Sequence, residues 1–402
     1  MPSSPTARDP LRGARHLVEP DVQEILQTAT EAAGGVLEHA VLRSVHDRAG
    51  RSLSHVYAAS VRVGEVVRDV LLVAHVDARP LPDGAFELTS GEDRVGVWRF
   101  PHDPFLAGLP SAIDEERVRE LLDRLGASPG RVHIRTRAYR PSRRAVIEVT
   151  IHGESGTGRV LYLKVLAGDR AQEIAEIHRR LASMVPVPRI VGVAGDQGIV
   201  ALEALGGDTL RTVLVEGHAL PDPAELVELS ERFAGTELST RRDPRAFADP
   251  SRHVDPLAEL VADQRDRLER IAGAAASIDE PLVAVHGDLH DGQLLVTDGS
   301  VTGLLDVDGS GRGWLAQDAG NLIAHVQAVG EVWPQVAVRA ETFAASIADA
   351  YRPVVGPDAL ARATAGAWLG LATGPYRAQD TGWADLTRAR IARAERQLPA
   401  RP

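Results

Sequence analysis

Between residues 283 and 308 the chain reads VAVHGDLHDGQLLVTDGSVTGLLDVD. An apolar run, VAV, delivers a polar loop from His286 to Gln293, and a hairpin pattern then leads to a second apolar run that ends in Asp306-Val307-Asp308. Carboxylates at the exits of buried strands are costly unless they are solvated or face cations. Phosphoryl transfer needs such a set: one Asp to orient an acceptor hydroxyl, and hard oxygen ligands for Mg²⁺. Taken singly, each acid also fits a turn or a helix cap; the ordered set is what points to a site. Other chemistries find no support. There is no G-x-S-x-G elbow, no HExxH pair and no G-x-G-x-x-G after the first strand. Cysteine is absent, which excludes disulfides, thiolate metal sites and Cys nucleophiles and fits a reducing compartment.

Composition adds one pointed observation. Of 45 Lys and Arg residues only Lys164 is a lysine, leaving 44 arginines, and Asn321 is the only asparagine. Both residue types have AA-starting codons, so codon bias accounts for their scarcity and leaves open what Lys164 does that Arg cannot. The 402 residues suffice for two or three domains. Hydrophobic and charged fractions of 44% and 25% are those of a soluble globular chain. A net charge of −11 argues against a general nucleic-acid binder. The first residues have no apolar signal core, and no run approaches the ~18 apolar residues of a membrane span. A soluble cytoplasmic protein, monomer or homodimer, without nucleic-acid or membrane partners, is expected.

The elements that must position these residues follow from periodicity. Residues 1–20 read as a loose end and DVQEILQTATEAAGGVLEHAVL as helical. Alternating runs from about 50 to 101, with turn signals at Gly64 and Gly91-Glu92, read as a small antiparallel sheet. A Pro- and Gly-rich linker follows, then a short helix, DEERVRELLDRLGA, that stops at Gly126. RVHIRTRAY, AVIEVTIHG and RVLYLKVL are three strands joined by YRPSRR and ESGTG. The helix DRAQEIAEIHRRLASM and the strands PVPRIVGV and GIVALEAL complete a βββαββ order, the plan of a kinase small lobe. Helices are expected at 207–216, 221–239, 254–275, 315–330, 336–352, 357–372 and 383–397. Three parts result: a cap at 1–110, a small lobe at 111–205 and a helical lobe at 206–402. The expected class is α+β, a bilobal protein-kinase-like fold with a β-rich N-terminal cap.

HGDLHxxQ followed by LLDVD resembles the aminoglycoside phosphotransferase/choline kinase-like superfamily, over about residues 130–330 well and the C-terminal helices loosely. The usual loop of that family reads HGDxHxxN. The resemblance implies ATP and Mg²⁺ as cofactors, Asp288 as catalytic base, and Gln293 and Asp306 as Mg²⁺ ligands. Gln293 departs from the usual Asn but offers the same amide oxygen, and bacterial maltokinases are similar in using Gln here. Lys164, in the third small-lobe strand, takes the place of the lysine that reaches the α- and β-phosphates; a compact ammonium suits that cleft better than a planar guanidinium. A buried lysine needs an acid partner, and Glu173 and Glu176 on the next helix both qualify, with Glu173 slightly favoured. The loop YRPSRR has no glycine pattern; Arg140, Arg143 and Arg144 match phosphate oxygens, and a solvated turn fits as well. Glu203 and Ala204 in the lobe connection are implied to bond adenine.

WLAQDAGN resembles the GDPxxDLA stretch, with Asp318 as an acid that supports the loop. Asp308 is expected to share a strand face with Asp306 and to take a second metal or a cationic acceptor. His290 is a further acceptor-side candidate. In AWLGLATGPYRAQDTGW, the residues Trp368, Tyr376, Gln379 and Trp383 would suit a sugar, and a helix-turn-helix core fits equally. Together with VGVWRFPHDPFL and RTRAYRPSRRAV, these segments look like actinobacterial glucosamine kinases related to maltokinase. The implied activity is transfer of the γ-phosphate of ATP to a hydroxyl of glucosamine, most simply O6. Maltose or an aminoglycoside is the alternative acceptor, and a catalytically silent nucleotide-binding regulator the alternative of a different class.

Overall fold

The computed structural model describes residues 16–17, 21–48, 51–90, 93–127, 130–152, 158–238 and 249–399. The expected loose end over most of 1–20, the turn at Gly91-Glu92, most of ESGTG and the last residue of the 221–239 helix lie outside the described residues. The chain forms two compact units, one of residues 1–171, 192–201 and 376–381, the other of 172–191, 202–375 and 382–402.

The first unit begins with helix α1 (Asp21–Ala32), whose buried Val22, Leu26, Ala29 and Thr30 make one stripe. It packs on an antiparallel sheet of order β1-β2-β3-β5-β4: β1 (Val36–Arg48), β2 (Ser52–Val63), β3 (Val66–Asp77), β4 (Phe86–Ser90) and β5 (Asp93–Arg99). The helix expected to run on through VLEHAVL stops instead at Gly34-Gly35. Gly34 has φ 77°, and a Cβ on Gly35 would lie 2.8 Å from the Val61 side chain. Residues 36–48 then pair with β2 as a strand. After α2 (Leu109–Ala112), helix α3 (Glu115–Arg124) starts where Asp114 accepts from the N–H groups of Glu116 and Arg117, and Gly126 follows its end.

The second sheet has the order β6-β7-β8-β10-β9: β6 (Arg131–Arg140), β7 (Arg144–His152), β8 (Gly158–Leu166), β9 (Ile190–Ala194) and β10 (Ile199–Glu203). Ala145, Ile147, Val149 and Ile151 of β7 are buried at every second position, which fixes the register against β8. Helix α4 (Ala171–Leu181) joins β8 to β9. The βββαββ order is as expected.

The second unit is mainly helical: α5 (Leu210–Glu216), α6 (Pro223–Ala234), α7 (Val254–Leu260), α8 (Arg265–Ala275), α9 (Leu315–Val332), α10 (Ala337–Val355), α11 (Pro357–Ala372) and, after α12 (Gly374–Ala378), most of which belongs to the first unit, α13 (Trp383–Gln397). Three boundaries differ from expectation. The helix expected over 221–239 ends at Ala234, with Gly235 as its cap. The first helix starts at 210, because Asp208-Thr209 form a short strand, β11, against β13 (Leu294–Thr297). The run 254–275 is two helices, broken at Val261, whose φ of −138° and ψ of 74° are not helical. β13 and β14 (Ser300–Leu304) form the expected hairpin, and β12 (Val283–Val285) pairs with β15 (Gly311–Gly313). Helices α9 and α11 touch backbone to backbone: a Cβ on Gly320 would lie 2.5 Å from the Thr364 nitrogen. No helix among the described residues is long and apolar enough to cross a membrane.

Candidate active site

The polar loop leaves β12 at His286 and enters β13 after Gln293. Its side chains alternate between anchoring and display. His286 and Leu289 are buried, while Asp288 is exposed. The His286 ring bonds the Leu305 carbonyl through Nε2 at 2.8 Å, which places its proton there and leaves Nδ1 to accept the Asp288 N–H at 3.3 Å. Asp318, on the first turn of α9, accepts from the N–H groups of His286 and Gly287 at 2.6 and 2.8 Å. Burial pushes the Asp318 carboxyl up, opposed by these two backbone donors. Asp318 therefore supports the loop, as expected of it.

The return strand brings Asp306 back to this loop. The Leu305 N–H donates to the Gln293 carbonyl at 2.7 Å, and the Gln293 amide lies 3.4 Å from Asp306 Oδ2 and 3.2 Å from His290 Nε2. His290 Nδ1 already accepts from the Gly292 N–H at 3.0 Å, so a neutral ring carries its proton on Nε2 and needs an acceptor. Turning the Gln293 amide by half a rotation supplies Oε1 as that acceptor; which amide atom sits there is an assignment that the hydrogen-bond network decides. Two hard oxygens then face each other near the ~3 Å that separates neighbouring ligands of an octahedral Mg²⁺. The donor set fits that ion.

Asp308 does not stand beside Asp306 on a strand. β14 ends at Leu304, Asp306 has left-handed backbone (φ 55°, ψ 43°), and Val307–Gly309 form a 3-10 turn. The Asp308 carboxylate is buried and lies 4.0 Å from Nε2 of His178 on α4.

A second cluster adjoins the loop. His290, Asp291 and His325 hold ligand-type atoms within 4.8 Å of one another. Yet Arg211 takes both oxygens of Asp291, at 2.6 and 3.1 Å, and the two imidazoles stack at 4.6 Å and 17° rather than converging on a point. Asp291 is wholly buried; burial raises its carboxyl, but the nearby His290 and the Arg211 pair outweigh that and hold it down at about 2. Burial and the neighbouring His290 push His325 down to about 4, so it is neutral near pH 7. The cluster is an Arg-neutralised hub, not a cation cage. Arg252, in the 3-10 turn Pro250–His253, is also close enough for the charge of Asp288 to oppose the lowering of its pKa by burial.

The remaining candidates are distributed as follows. Lys164 lies in β8 opposite Val146, 8% exposed, in the first unit. Glu173 is half-buried in the first turn of α4, in the second unit. Glu176 is exposed and bonded to Arg180 and Arg179 at 2.8 and 3.3 Å, which commits it to the helix surface. The Glu203 N–H donates to the Arg189 carbonyl at 2.9 Å. Arg140 and Arg144 are register partners in the β6–β7 hairpin. Between them, Arg143 is pushed down to about 10 by burial and by the charges of Arg140, Arg48, Arg144 and Arg377. Asp103 fixes this turn by accepting from the Ser142 N–H and the Tyr139 hydroxyl at 2.9 and 2.8 Å. Gln379 has φ 58° and donates to the Tyr376 carbonyl, and both belong to the first unit. Trp383 opens α13, half-buried, in the second. Trp368 is a core residue: fully buried, it donates Nε1 to Gln327 at 3.0 Å.

Sequence reasoning did not single out Arg211, His325, Arg252 or Asp103. Arg211 is 80 residues from its partner and one arginine among 44. The spacing Asp318, Asn321, His325 along one helix face was a usable signal.

The model of the phosphotransferase enzyme family matches residues 156–361. No curated protein matches the chain. Among solved structures the chain is similar to aminoglycoside phosphotransferase APH(4)-Ia (16% identity, 72% of this chain and 100% of that one, TM-score 0.48). It is also similar to APH(2")-IIa in its gentamicin complex (12%, 71% and 99%, TM-score 0.48). A choline/ethanolamine kinase family protein from Mesorhizobium loti is similar at 16% identity, over 70% of this chain and 95% of that one, with TM-score 0.44.

Proposed function

The chain belongs to the phosphotransferase enzyme family, and from that premise we propose that it is an ATP- and Mg²⁺-dependent kinase that phosphorylates glucosamine on a hydroxyl, O6. The observation that carries the phosphotransfer reading is the meeting of Gln293 and Asp306 at the end of the loop that displays Asp288. In this reading the acceptor oxygen attacks the γ-phosphorus, the bond to the β–γ bridging oxygen breaks, ADP leaves, and the hydroxyl proton passes to the Asp288 carboxylate. Asp288 orients the hydroxyl before it accepts the proton, and positioning is most of what such a catalyst supplies. Gln293 and Asp306 would hold Mg²⁺, which spreads the charge of the phosphate oxygens when bound.

Lys164, with Glu173 as its acid, is assigned to the α- and β-phosphates by the family resemblance. Arg144 is assigned to phosphate and the Glu203 carbonyl and Ala204 N–H to adenine on the same basis. The three-part division at residues 110 and 205 belongs to this proposal as well.

The acceptor rests on less. Glucosamine is favoured by the resemblance of whole segments and by the acids of the site. Asp308 faces His178, so its proposed ammonium contact rests on its charge alone. His290 has partners for both ring nitrogens within the loop, and its contribution to the acceptor is to fix Gln293. Gln379 and Trp383 are proposed for the sugar.

A coupled ADP-release screen over sugars, amino sugars and aminoglycosides tests the reading, with Asp288→Asn as control. Turnover should be largest with glucosamine and should fall by about 10³-fold or more in the variant. Equal activity on glucose would remove the ammonium argument. An aminoglycoside or maltose optimum would replace the acceptor, and ATP binding without ADP release on any acceptor would show a silent regulator.

A further inference from the structure

One exposed carboxylate on a loop of eight residues is a poor catalyst unless the loop around it is held still. Helix α9 presents Asp318, Asn321 and His325 at spacings of three and four, hence on one face. They meet the loop in order. Asp318 holds the amides of His286 and Gly287, Asn321 Nδ2 donates to the Leu289 carbonyl at 2.9 Å, and His325 stacks on His290. From a different element, the first turn of α5, Arg211 reaches Asp291. Its Nε and Nη2 donate to the two carboxylate oxygens at 2.6 and 3.1 Å, and its backbone N–H donates to the Asp291 carbonyl at 3.1 Å. The backbone on both sides of Asp288 is thereby tied to helices, while its own side chain is exposed.

We infer that Asn321 and Arg211 are positioning residues for the transfer, fixing the loop from two sides so that the Asp288 carboxylate occupies one place. The inference rests on the phosphotransfer reading above for its catalytic meaning. The chemistry of Asn321 is specific. The Leu289 oxygen is an acceptor and needs an N–H; an aspartate of the same shape would bring only acceptors against it. The chain's single asparagine stands where an amide cannot be exchanged for the far commoner Asp. Arg211 is equally constrained, because two parallel bonds to one carboxylate need the guanidinium fork that lysine lacks.

The test uses the full chain and the variants Asn321→Ala, Asn321→Asp and Arg211→Lys. Three quantities are read: kcat and KM for ATP, the unfolding midpoint, and amide hydrogen exchange of the peptide spanning His286–Asp291. Each variant should lose about 10- to 100-fold in kcat while KM for ATP moves by less than about threefold, the signature of a misplaced reacting group rather than of weakened nucleotide binding. Exchange in His286–Asp291 should quicken relative to α13, with Asn321→Asp at least as affected as Asn321→Ala. Wild-type kcat in folded Asn321→Asp and Arg211→Lys, with unchanged loop exchange, would overturn the inference. So would a loss of activity that only follows the folded fraction. If the wild-type chain releases no ADP with any acceptor, the phosphotransfer reading fails instead. Loop exchange in the variants then decides alone whether Asn321 and Arg211 hold the loop.

Discussion

Lys164 is held at 8% exposure between Leu163 and Val165, which are fully buried. A guanidinium there keeps the charge but presents a wider, planar head. Lys164→Arg should therefore leave the unfolding midpoint nearly unchanged while most ATP-dependent turnover disappears; unaltered kinetics would reduce the lysine to a compositional leftover. Asp306 offers a different separation. Its left-handed backbone is one that Asn and Asp adopt readily and longer side chains do not. Asp306→Asn should keep stability and lose Mg²⁺-dependent turnover. Asp306→Glu keeps the charge but should cost about 1 kcal/mol in denaturant unfolding. At this scale the sequence was informative where a site is contiguous: Gln293 and Asp306, which the family resemblance implies as ligands, lie together. It was silent where partners are distant and common in type, as with Arg211 and Asp291. It misplaced Asp308 because the pattern LLDVD cannot show that the strand ends before its first acid.

Among the elements, α9 carries the most. Its face of Asp318, Asn321 and His325 is set by the close approach of α11 at Gly320, where a methyl group would meet the backbone at Ala363 and Thr364. Gly320→Ala should push the helices apart and cost about 1–3 kcal/mol in denaturant unfolding, as overpacking does. It should also slow turnover, since Asn321 is the next residue; a neutral result would mean that α11 yields easily. The late helices were legible within a few residues because their apolar period is long and their ends carry Gly or Pro, as at Gly356-Pro357. Two readings failed for physical reasons. The apolar spacing of 36–42 suits a helix as well as a strand, and close packing of Gly35 against Val61 decided for the strand. The break at Val261 leaves the helical period on both sides intact, so periodicity alone passes over it.

For the whole molecule, protons offer a test. Burial holds the His55 imidazole down at about 4 against an ordinary 6.5, and it is 5% exposed. Between these values the unfolded chain binds a proton that the folded chain does not, so stability falls as pH drops from 6.5 towards 4. The loss for one such histidine is on the order of 3 kcal/mol when complete. His46 is pushed down to about 4 as well, by burial and then by Arg377, so the wild-type protein should weaken steeply below pH 6.5. Unfolding midpoints at pH 7 and pH 5 should differ less in His55→Gln than in the wild type. Equal differences would mean that His55 is not shielded from protons.

The two units are interleaved along the chain. The first takes its opening 171 residues, returns for 192–201, and is completed only by Tyr376–Thr381. A ribosome making this protein from its N-terminus must therefore release nearly all of the second unit before the first can finish. Neither unit is a contiguous stretch that a protease could cut out whole. A chain stopped short of Tyr376 lacks the last piece of the unit that opens with residue 1.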